Sequence, residues 1–160
     1  MTVEAQQADL AEAQQAYARA KDSALRMLAA REHSVQELQR KLTAKRHADG
    51  LVTRLLAELQ AQDLLSDARF AESYVRSRTG KGFGPMRIRQ GLFERGIGDE
   101  LVEQHLTHCA EHWLELASQA LLKRFKAEQV HDRNEWNRRA RFLAGRGYPA
   151  DIIYQVLGHD

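Results

Sequence analysis

Cysteine, proline and aromatic residues are scarce in this sequence. Its 160 residues include one cysteine, Cys109, and two prolines, and aromatic residues make up 7%. A single cysteine excludes an internal disulfide and a cysteine-rich zinc module within one chain. Few prolines leave long helices uninterrupted, because proline lacks an amide donor and breaks a helix interior. The composition therefore excludes a disulfide scaffold and favours helices over a loop-rich sheet protein.

Long apolar runs are also missing. No segment approaches the roughly 20 apolar residues that a membrane-spanning helix needs. The N-terminal stretch MTVEAQQADLAEAQQAY has neither the basic start nor the apolar core of a signal peptide. We therefore expect a cytoplasmic protein with no membrane partner. Charged residues are abundant at 29%, with a formal net charge of +2, and they suit the exposed faces of helices.

A short pattern recurs with a spacing of about 50 residues, which is the signature of a structural repeat. DGLV at 49–52 is matched by DELV at 99–102 and more loosely by ADII at 150–153. A turn with a basic residue precedes each copy. In two of these turns Gly96 and Gly147 stand where a helix end requires a left-handed residue, which predicts that both glycines stop a helix.

Each repeat is predicted to contain three helices. The first helices are expected at 20–30, at 67–78 behind the cap residue Ser66, and at 111–125. Ser34 with Glu37 forms a capping box for a second helix, and Pro85 stands at a favourable first helical position. Apolar faces of the third helices are indicated by Leu51, Leu55 and Leu59, by Leu101, His105 and Cys109, and by Ile152, Val156 and Leu157.

The predicted fold class is all-α, with three tandem three-helix repeats of helix-turn-helix-like units that form an elongated, curved body. An N-terminal extension at 1–22, which could lengthen the first helix or fray, precedes repeats at 23–64, 65–110 and 111–160. Units of this size have small cores, so we expect the copies to pack against one another.

Charge is arranged in blocks along the chain. Between Arg76 and Arg95 there are six basic residues and one acidic residue, Glu94. Residues 97–122 hold five acidic residues and no Lys or Arg, and basic residues resume at Lys123. Such blocks could form patches that meet phosphates or the carboxylates of a partner, although a solvated helix surface is equally compatible with them.

Two local patterns are weak candidates for chemistry. The glycine-rich stretch 80–84 could cradle a phosphate, but it lacks the spacing of a nucleotide-binding loop, so a flexible connector that lets Lys81 and Phe83 reach a partner is favoured. His105, His108 and His112 fall on one stripe of a continuous helix. They would span roughly 10 Å, too far for one metal ion, so we expect a partly buried helix face there.

Neither a cofactor site nor a catalytic constellation is predicted. The carboxylates are scattered over helices, and no serine has a base at a recognisable spacing. We expect a protein that is not an enzyme and holds no metal.

Residues 66–97, SDARFAESYVRSRTGKGFGPMRIRQGLFERGI, resemble the most distinctive segment of the RecX family, the bacterial modulators of the RecA recombinase. ALRMLAAREHSVQELQRKL at 24–42 is similar to the first repeat of that family, and ARFLAGRGYPADIIYQVL at 140–157 to its last. The resemblance covers nearly the whole chain beyond residue 22, and it is weakest at 126–136.

This resemblance implies a regulator that binds the RecA filament on single-stranded DNA and inhibits ATP hydrolysis, strand exchange and co-protease activity. Roles in DNA repair, recombination and the SOS response follow from it, with single-stranded DNA contacted through the filament or also directly. We expect a monomer. By charge and position, the hypothesis gives the main contact role to Arg69, Tyr74, Arg76, Arg78, Lys81, Arg87, Arg89 and Arg95. Arg69 and Tyr74 could equally be structural.

Two other functions are compatible with the residues. A stand-alone helix-turn-helix-like DNA-binding module would use the basic blocks to hold phosphates, and it would bind naked DNA without a recombinase. A metal-dependent hydrolase built on the histidine stripe would require turnover that a chelator abolishes.

Overall fold

The computed structural model describes residues 2–126 and 130–158, and every regular element in these ranges is a helix. The elements are α1 (Val3–Ala30), α2 (Val35–Ala44), α3 (Asp49–Ala61), α4 (Asp67–Gly80), α5 (Pro85–Glu94), α6 (Asp99–His108), a 3₁₀ turn (Ala110–His112), α7 (Trp113–Phe125), α8 (Arg133–Gly145) and α9 (Ala150–Leu157). The chain divides into two compact units, Met1–Phe70 and Ala71–Asp160. No helix in the described ranges is long and apolar enough to cross a membrane.

The first unit is a three-helix core in which α1, α2 and α3 pack against one another. Its apolar core cluster contains Ala20, Ala24, Leu38, Leu42, Val52, Leu55, Leu56, Leu59 and Leu65. Helix α1 begins at Val3, behind the Thr2 cap, and not at residue 20 as predicted. Of the two possibilities for the N-terminal extension, the structure has the lengthened helix, and residues 2–15 of it are exposed.

The residues predicted to stand at the starts of α2, α4 and α5 do so in the structure. The Ser34 hydroxyl accepts a hydrogen bond from the Glu37 amide at 3.0 Å, and the Glu37 carboxylate accepts one from the Ser34 amide at 3.2 Å, which confirms the capping box. The hydroxyl of Ser66 accepts a hydrogen bond from the Arg69 amide at 3.2 Å, as expected of the residue that caps α4. Pro85 is the first residue of α5.

In the second unit α5 packs on α6, and α7, α8 and α9 pack on one another. Its core contains Ala71, Val75, Ile88, Leu92, Ile97, Val102, Leu106, Trp113, Ala117, Ala120, Leu121, Phe125, Leu143, Tyr148 and Ile153. The rings of Phe125 and Phe142 meet edge to face with centroids 5.5 Å apart, so α7 and α8 are joined by an aromatic contact.

The turn between the second and third helices has the same backbone form in every repeat. Its left-handed residues are Arg46, Gly96 and Gly147, with φ of 68°, 77° and 95°. The next residue donates its amide to a carbonyl five residues earlier, in the pairs His47–Leu42 at 3.3 Å, Ile97–Leu92 at 3.1 Å and Tyr148–Leu143 at 3.1 Å. This hydrogen-bond pattern is the Schellman motif. The prediction that Gly96 and Gly147 stop a helix is confirmed.

The corner between α6 and α7 differs from the prediction. α6 ends at His108, and a separate 3₁₀ turn leads to α7, which begins at Trp113 and not at residue 111. Cys109 is the residue after α6 and not part of its apolar face. Burial of Trp113, which is 6% exposed, stabilises this change of direction.

Candidate functional site

Three of the predicted contact arginines are neutralised by carboxylates of their own unit, and Arg69 is the first of them. In the first unit its Nε lies 3.0 Å from Glu32 Oε1 and its Nη1 lies 2.9 Å from Asp63 Oδ1. The hydrogen bond to Glu32, followed by that to Asp63, raises the pKa of Arg69. The side chain thus links the turn between α1 and α2 to the loop before α4, which is a structural role.

Arg76 and Arg89 have equivalent partners in the second unit. Arg76 lies 2.9 Å from Glu72, one turn earlier on α4. Arg89 holds both oxygens of Glu103, at 2.8 and 3.2 Å, and so ties α5 to α6. The hydrogen bond from Arg89 lowers the pKa of Glu103. A bidentate pair of this kind fixes the orientation of the guanidinium.

The other arginines are held by aromatic rings. Tyr74 lies on α4 with Arg78 and Arg95 against its ring, their Cζ atoms 5.1 and 4.8 Å from the ring centroid. The ring lies so close to Gly91 of α5 that a Cβ at that position would be 2.0 Å from the Tyr74 hydroxyl. Glycine at 91 therefore allows the tyrosine to lie across α5.

Three guanidinium groups lie against the ring of Phe83. Arg87 and Arg146 each place Cζ 4.9 Å from the centroid of its ring, and Arg78 places Cζ at 5.8 Å. These are cation–π distances. Main-chain carbonyls hold two of the guanidinium groups in place, because Arg87 donates to Gly145 O at 2.8 Å and Arg146 donates to Lys81 O at 3.4 Å.

Main-chain contacts within the second unit build this arrangement. The connector between α4 and α5 meets the turn between α8 and α9, where Gly84 N donates to Arg146 O at 2.7 Å and Met86 N to Gly147 O at 2.9 Å. Tyr148 donates its hydroxyl to Phe83 O at 3.5 Å. Burial raises the pKa of Tyr148 to about 12, so the hydroxyl remains a donor at neutral pH.

The connector is not the phosphate cradle that its glycines could suggest. Its amides, from residue 81 to 84, all donate to carbonyls of the chain. Phe83 of this connector is half-buried among arginines, and its reach to a partner stays a prediction. Lys81 does extend an exposed side chain from it.

A cleft of ≈ 300 Å³ opens beside these rings. It is lined by Tyr74, Arg78, Phe83, Arg87, Ile88, Gln90, Gly91, Glu94 and Arg95. We call this cavity, together with Arg146 over Phe83, the arginine cleft. Glu94 is the one acidic residue of its lining, and it accepts a hydrogen bond from Gln90 at 3.2 Å. The cleft presents a surplus of positive charge, which suits the binding of an anion.

Phe83 and Arg146 are two members of the cleft that the predicted contact set does not contain. Arg146 is distant in sequence, and only the repeated Arg-Gly turn at 95–96 and 146–147 marks it. The sequence pattern at Phe83 does not indicate that its ring supports arginines.

The histidine stripe does not exist as one helix face. His105 lies on α6 and its Nδ1 is 2.8 Å from Leu101 O, whereas His112 belongs to the 3₁₀ turn beyond the end of α6. The described part of the chain contains no group of three His, Cys, Asp or Glu side chains that could hold a metal ion.

Fold and site together define a class: an all-α protein of tandem three-helix repeats, in which the middle repeat contributes most of an arginine-rich cleft. Family models match it at 20–59, 66–106 and 110–157, and they are described as the first, second and third three-helix domains of RecX. The chain belongs to the RecX family.

Curated relatives agree with this assignment. The chain is 42% identical over 139 residues to the regulatory protein RecX of Chromohalobacter salexigens, covering 87% of this chain and 91% of that one. It is also 42% identical over 133 residues to the regulatory protein RecX of Halorhodospira halophila, covering 83% of each chain. These relatives are named as regulators.

Solved structures share the fold. A crystal structure of regulatory protein RecX superposes with a TM-score of 0.80 at 27% identity, covering 98% of this chain and 78% of that one. RecX from Lactobacillus salivarius superposes with a TM-score of 0.75 at 24% identity, covering 89% of this chain and 95% of that one, which supports the fold alone.

Proposed function

We propose that this chain binds the RecA filament on single-stranded DNA and inhibits its ATP hydrolysis, strand exchange and co-protease activity. The regulatory names of its relatives support a role of this kind. We also propose that it acts in the cytoplasm, in DNA repair, recombination and the SOS response, without catalysis of its own.

The observation that carries the proposal is the outer face of α5 beside the arginine cleft. Met86 and Phe93 are 55% and 40% exposed, although both are large and apolar. They lie two helical turns apart, with Gln90 between them about one turn from each, on the same face of the helix. Exposed Met and aromatic side chains next to arginines are the residue types enriched where proteins bind proteins.

We propose a narrower contact set than the charge pattern predicts. It keeps Tyr74, Arg78, Lys81, Arg87 and Arg95. Arg69, Arg76 and Arg89 instead stabilise the fold through their ion pairs. Arg146, which lies against Phe83, joins the set, and so do the exposed side chains of Met86 and Phe93.

The test is the DNA-dependent ATPase of the recombinase, measured with substoichiometric and with stoichiometric protein. Wild type should inhibit it, and Met86→Ala with Phe93→Ala should lose at least about tenfold in inhibitory potency, because the variant removes two central apolar anchors. Both residues are exposed, so the variant should fold.

Leu114→Ala with Leu122→Ala is the matched control, since these side chains are also exposed and lie on α7 of the same unit. It should inhibit as wild type does. An ATPase that is unaffected by wild type contradicts the function. Tight, sequence-selective binding to naked DNA without any effect on the recombinase would favour the DNA-binding module.

A further inference from the structure

Three arginines of the cleft are crowded together with no carboxylate of the described residues in an ion pair with them. Arg78, Arg87 and Arg146 surround one phenylalanine ring. None of these three forms an ion pair with any residue in the ranges 2–126 and 130–158. Like charges held this close repel one another, so an anion that enters between them is favoured.

Two other arginines on α4 and α5 do have carboxylate partners. Arg76 on α4 and Arg89 on α5 stand two residues from Arg78 and Arg87, and each is matched to one carboxylate. On these two helices, therefore, one guanidinium group pairs with one carboxylate. A site with several forks fits an anion that has more oxygens and more charge.

We propose that the arginine cleft is a phosphate-binding site. Its binding groups are the guanidinium groups of Arg78, Arg87, Arg95 and Arg146. A phosphate group offers several acceptor oxygens to planar forks, and arginine is well suited to it. The source of the phosphate is either the backbone of single-stranded DNA or a free polyphosphate. The proposal deepens the proposed function, and it rests on that function for the choice of DNA as the first source to test.

The geometry also indicates which part of a nucleic acid the cleft would contact. The rings of Tyr74 and Phe83 already carry guanidinium groups within cation–π distance, so their faces hold arginines in position and are not platforms for stacked bases. Contacts to phosphate fix position but carry no sequence information. Binding through the cleft should therefore be independent of base sequence and steeply dependent on salt.

The experiment measures binding of a fluorescent oligothymidylate by anisotropy over a range of salt concentrations, in the absence of recombinase. For single strands, log K changes by about 0.7 per log unit of salt for each neutralised phosphate. Arg78→Ala with Arg87→Ala should bind at least about tenfold more weakly, and its salt slope should be smaller by about 1.4, as expected for two lost contacts.

Arg76→Ala with Arg89→Ala is the matched control, because it removes the same charge from the same two helices. Its salt slope should stay within about 0.3 of wild type. Thermal unfolding of both variants checks that each is folded. Equal losses in the two double variants, or no binding of the oligonucleotide or of tripolyphosphate by wild type, would overturn the proposal.

Inorganic tripolyphosphate as a competitor distinguishes the sources. Displacement of the oligonucleotide by tripolyphosphate, and not by the same ionic strength of sodium chloride, identifies a site for free polyphosphate. Displacement by unlabelled oligonucleotide alone identifies the DNA backbone. If wild type inhibits the recombinase ATPase but neither phosphate probe binds, only this inference fails. If the probes bind and the ATPase is unaffected, only the proposed function fails.

Discussion

The turn between α2 and α3 and the turn between α8 and α9 have the same backbone form but different surroundings. Arg46 takes the left-handed conformation in the first, at φ 68°, and Gly147 takes it in the second, at φ 95°. Since an arginine is accommodated in this motif, the left-handed φ does not by itself require glycine. At Gly147, however, a Cβ would lie 2.5 Å from Arg87 Cβ and 2.6 Å from Arg87 N. Close packing against α5 is the reason for glycine in the third repeat.

The largest expected effect comes from Gly147→Ala. Left-handed strain of about 1–2 kcal/mol adds to an overpacking cost of about 1–3 kcal/mol, so we expect a loss of about 2–5 kcal/mol in the free energy of unfolding. The turn should also move away from α5 and take Arg146 with it. Urea unfolding measures the first effect, and oligonucleotide binding measures the second.

Gly145→Ala is the control for this comparison. It lies two residues earlier, as the last residue of α8, and a Cβ there would meet nothing within 4 Å. Replacing a helical glycine by alanine should stabilise the protein by up to about 1 kcal/mol. Similar stability changes in the two variants would show that packing on α5 does not explain Gly147.

The third repeat departs from the first at a core position as well. Leu38 and Ile88 are buried in α2 and α5, and the corresponding residue of α8 is Arg139, which is 4% exposed. Its Nε lies 3.0 Å from Glu135 Oε1, and this hydrogen bond, followed by that from Arg138, lowers the pKa of Glu135. The third repeat thus holds an ion pair where the others hold an aliphatic side chain.

Glu135→Ala should destabilise the protein more than Arg139→Leu does. Removing the carboxylate leaves a buried guanidinium without it, whereas leucine restores the residue type of the other repeats and should leave the free energy of unfolding within about 1.5 kcal/mol of wild type. Thermal unfolding of both variants measures the difference. A larger loss in Arg139→Leu would mean that the arginine contributes packing that leucine cannot replace.

How far the sequence predicts the structure depends on whether a signal is local. The capping box at Ser34 and the glycine stops act within one turn of chain, so the repeats could be predicted from them. The end of α6 could not, because no glycine or proline marks it and burial of Trp113 is a tertiary effect. Charge alone could not separate Arg87 from Arg89, since only folding brings Glu103 to one of them.

The smallest expected effect concerns the turn between α1 and α2 in the first unit, which contains a buried histidine. His33 is 2% exposed, and its Nδ1 lies 3.0 Å from Arg31 O, so Nδ1 carries the proton. Its Nε2 lies 2.9 Å from the ammonium group of Lys41 and therefore accepts. Burial, followed by the nearby Arg31 and Lys41 charges, lowers the pKa of His33, although its hydrogen bond to Arg31 O opposes the shift.

Because folding lowers the pKa of His33, the free energy of unfolding decreases as the pH falls. The contribution of His33 is fully present above its ordinary pKa of 6.5 and is lost as the pH falls below it towards the lower folded pKa, because the unfolded chain then binds the proton more tightly. The slope of the free energy of unfolding against pH cannot exceed that of one proton, about 1.4 kcal/mol per pH unit.

Urea unfolding between about pH 7.5 and 5 should show this decline in wild type and a smaller one in His33→Gln. His108→Gln, at the exposed end of α6, should decline as wild type does; if His33→Gln declines equally, the pH dependence arises elsewhere in the chain.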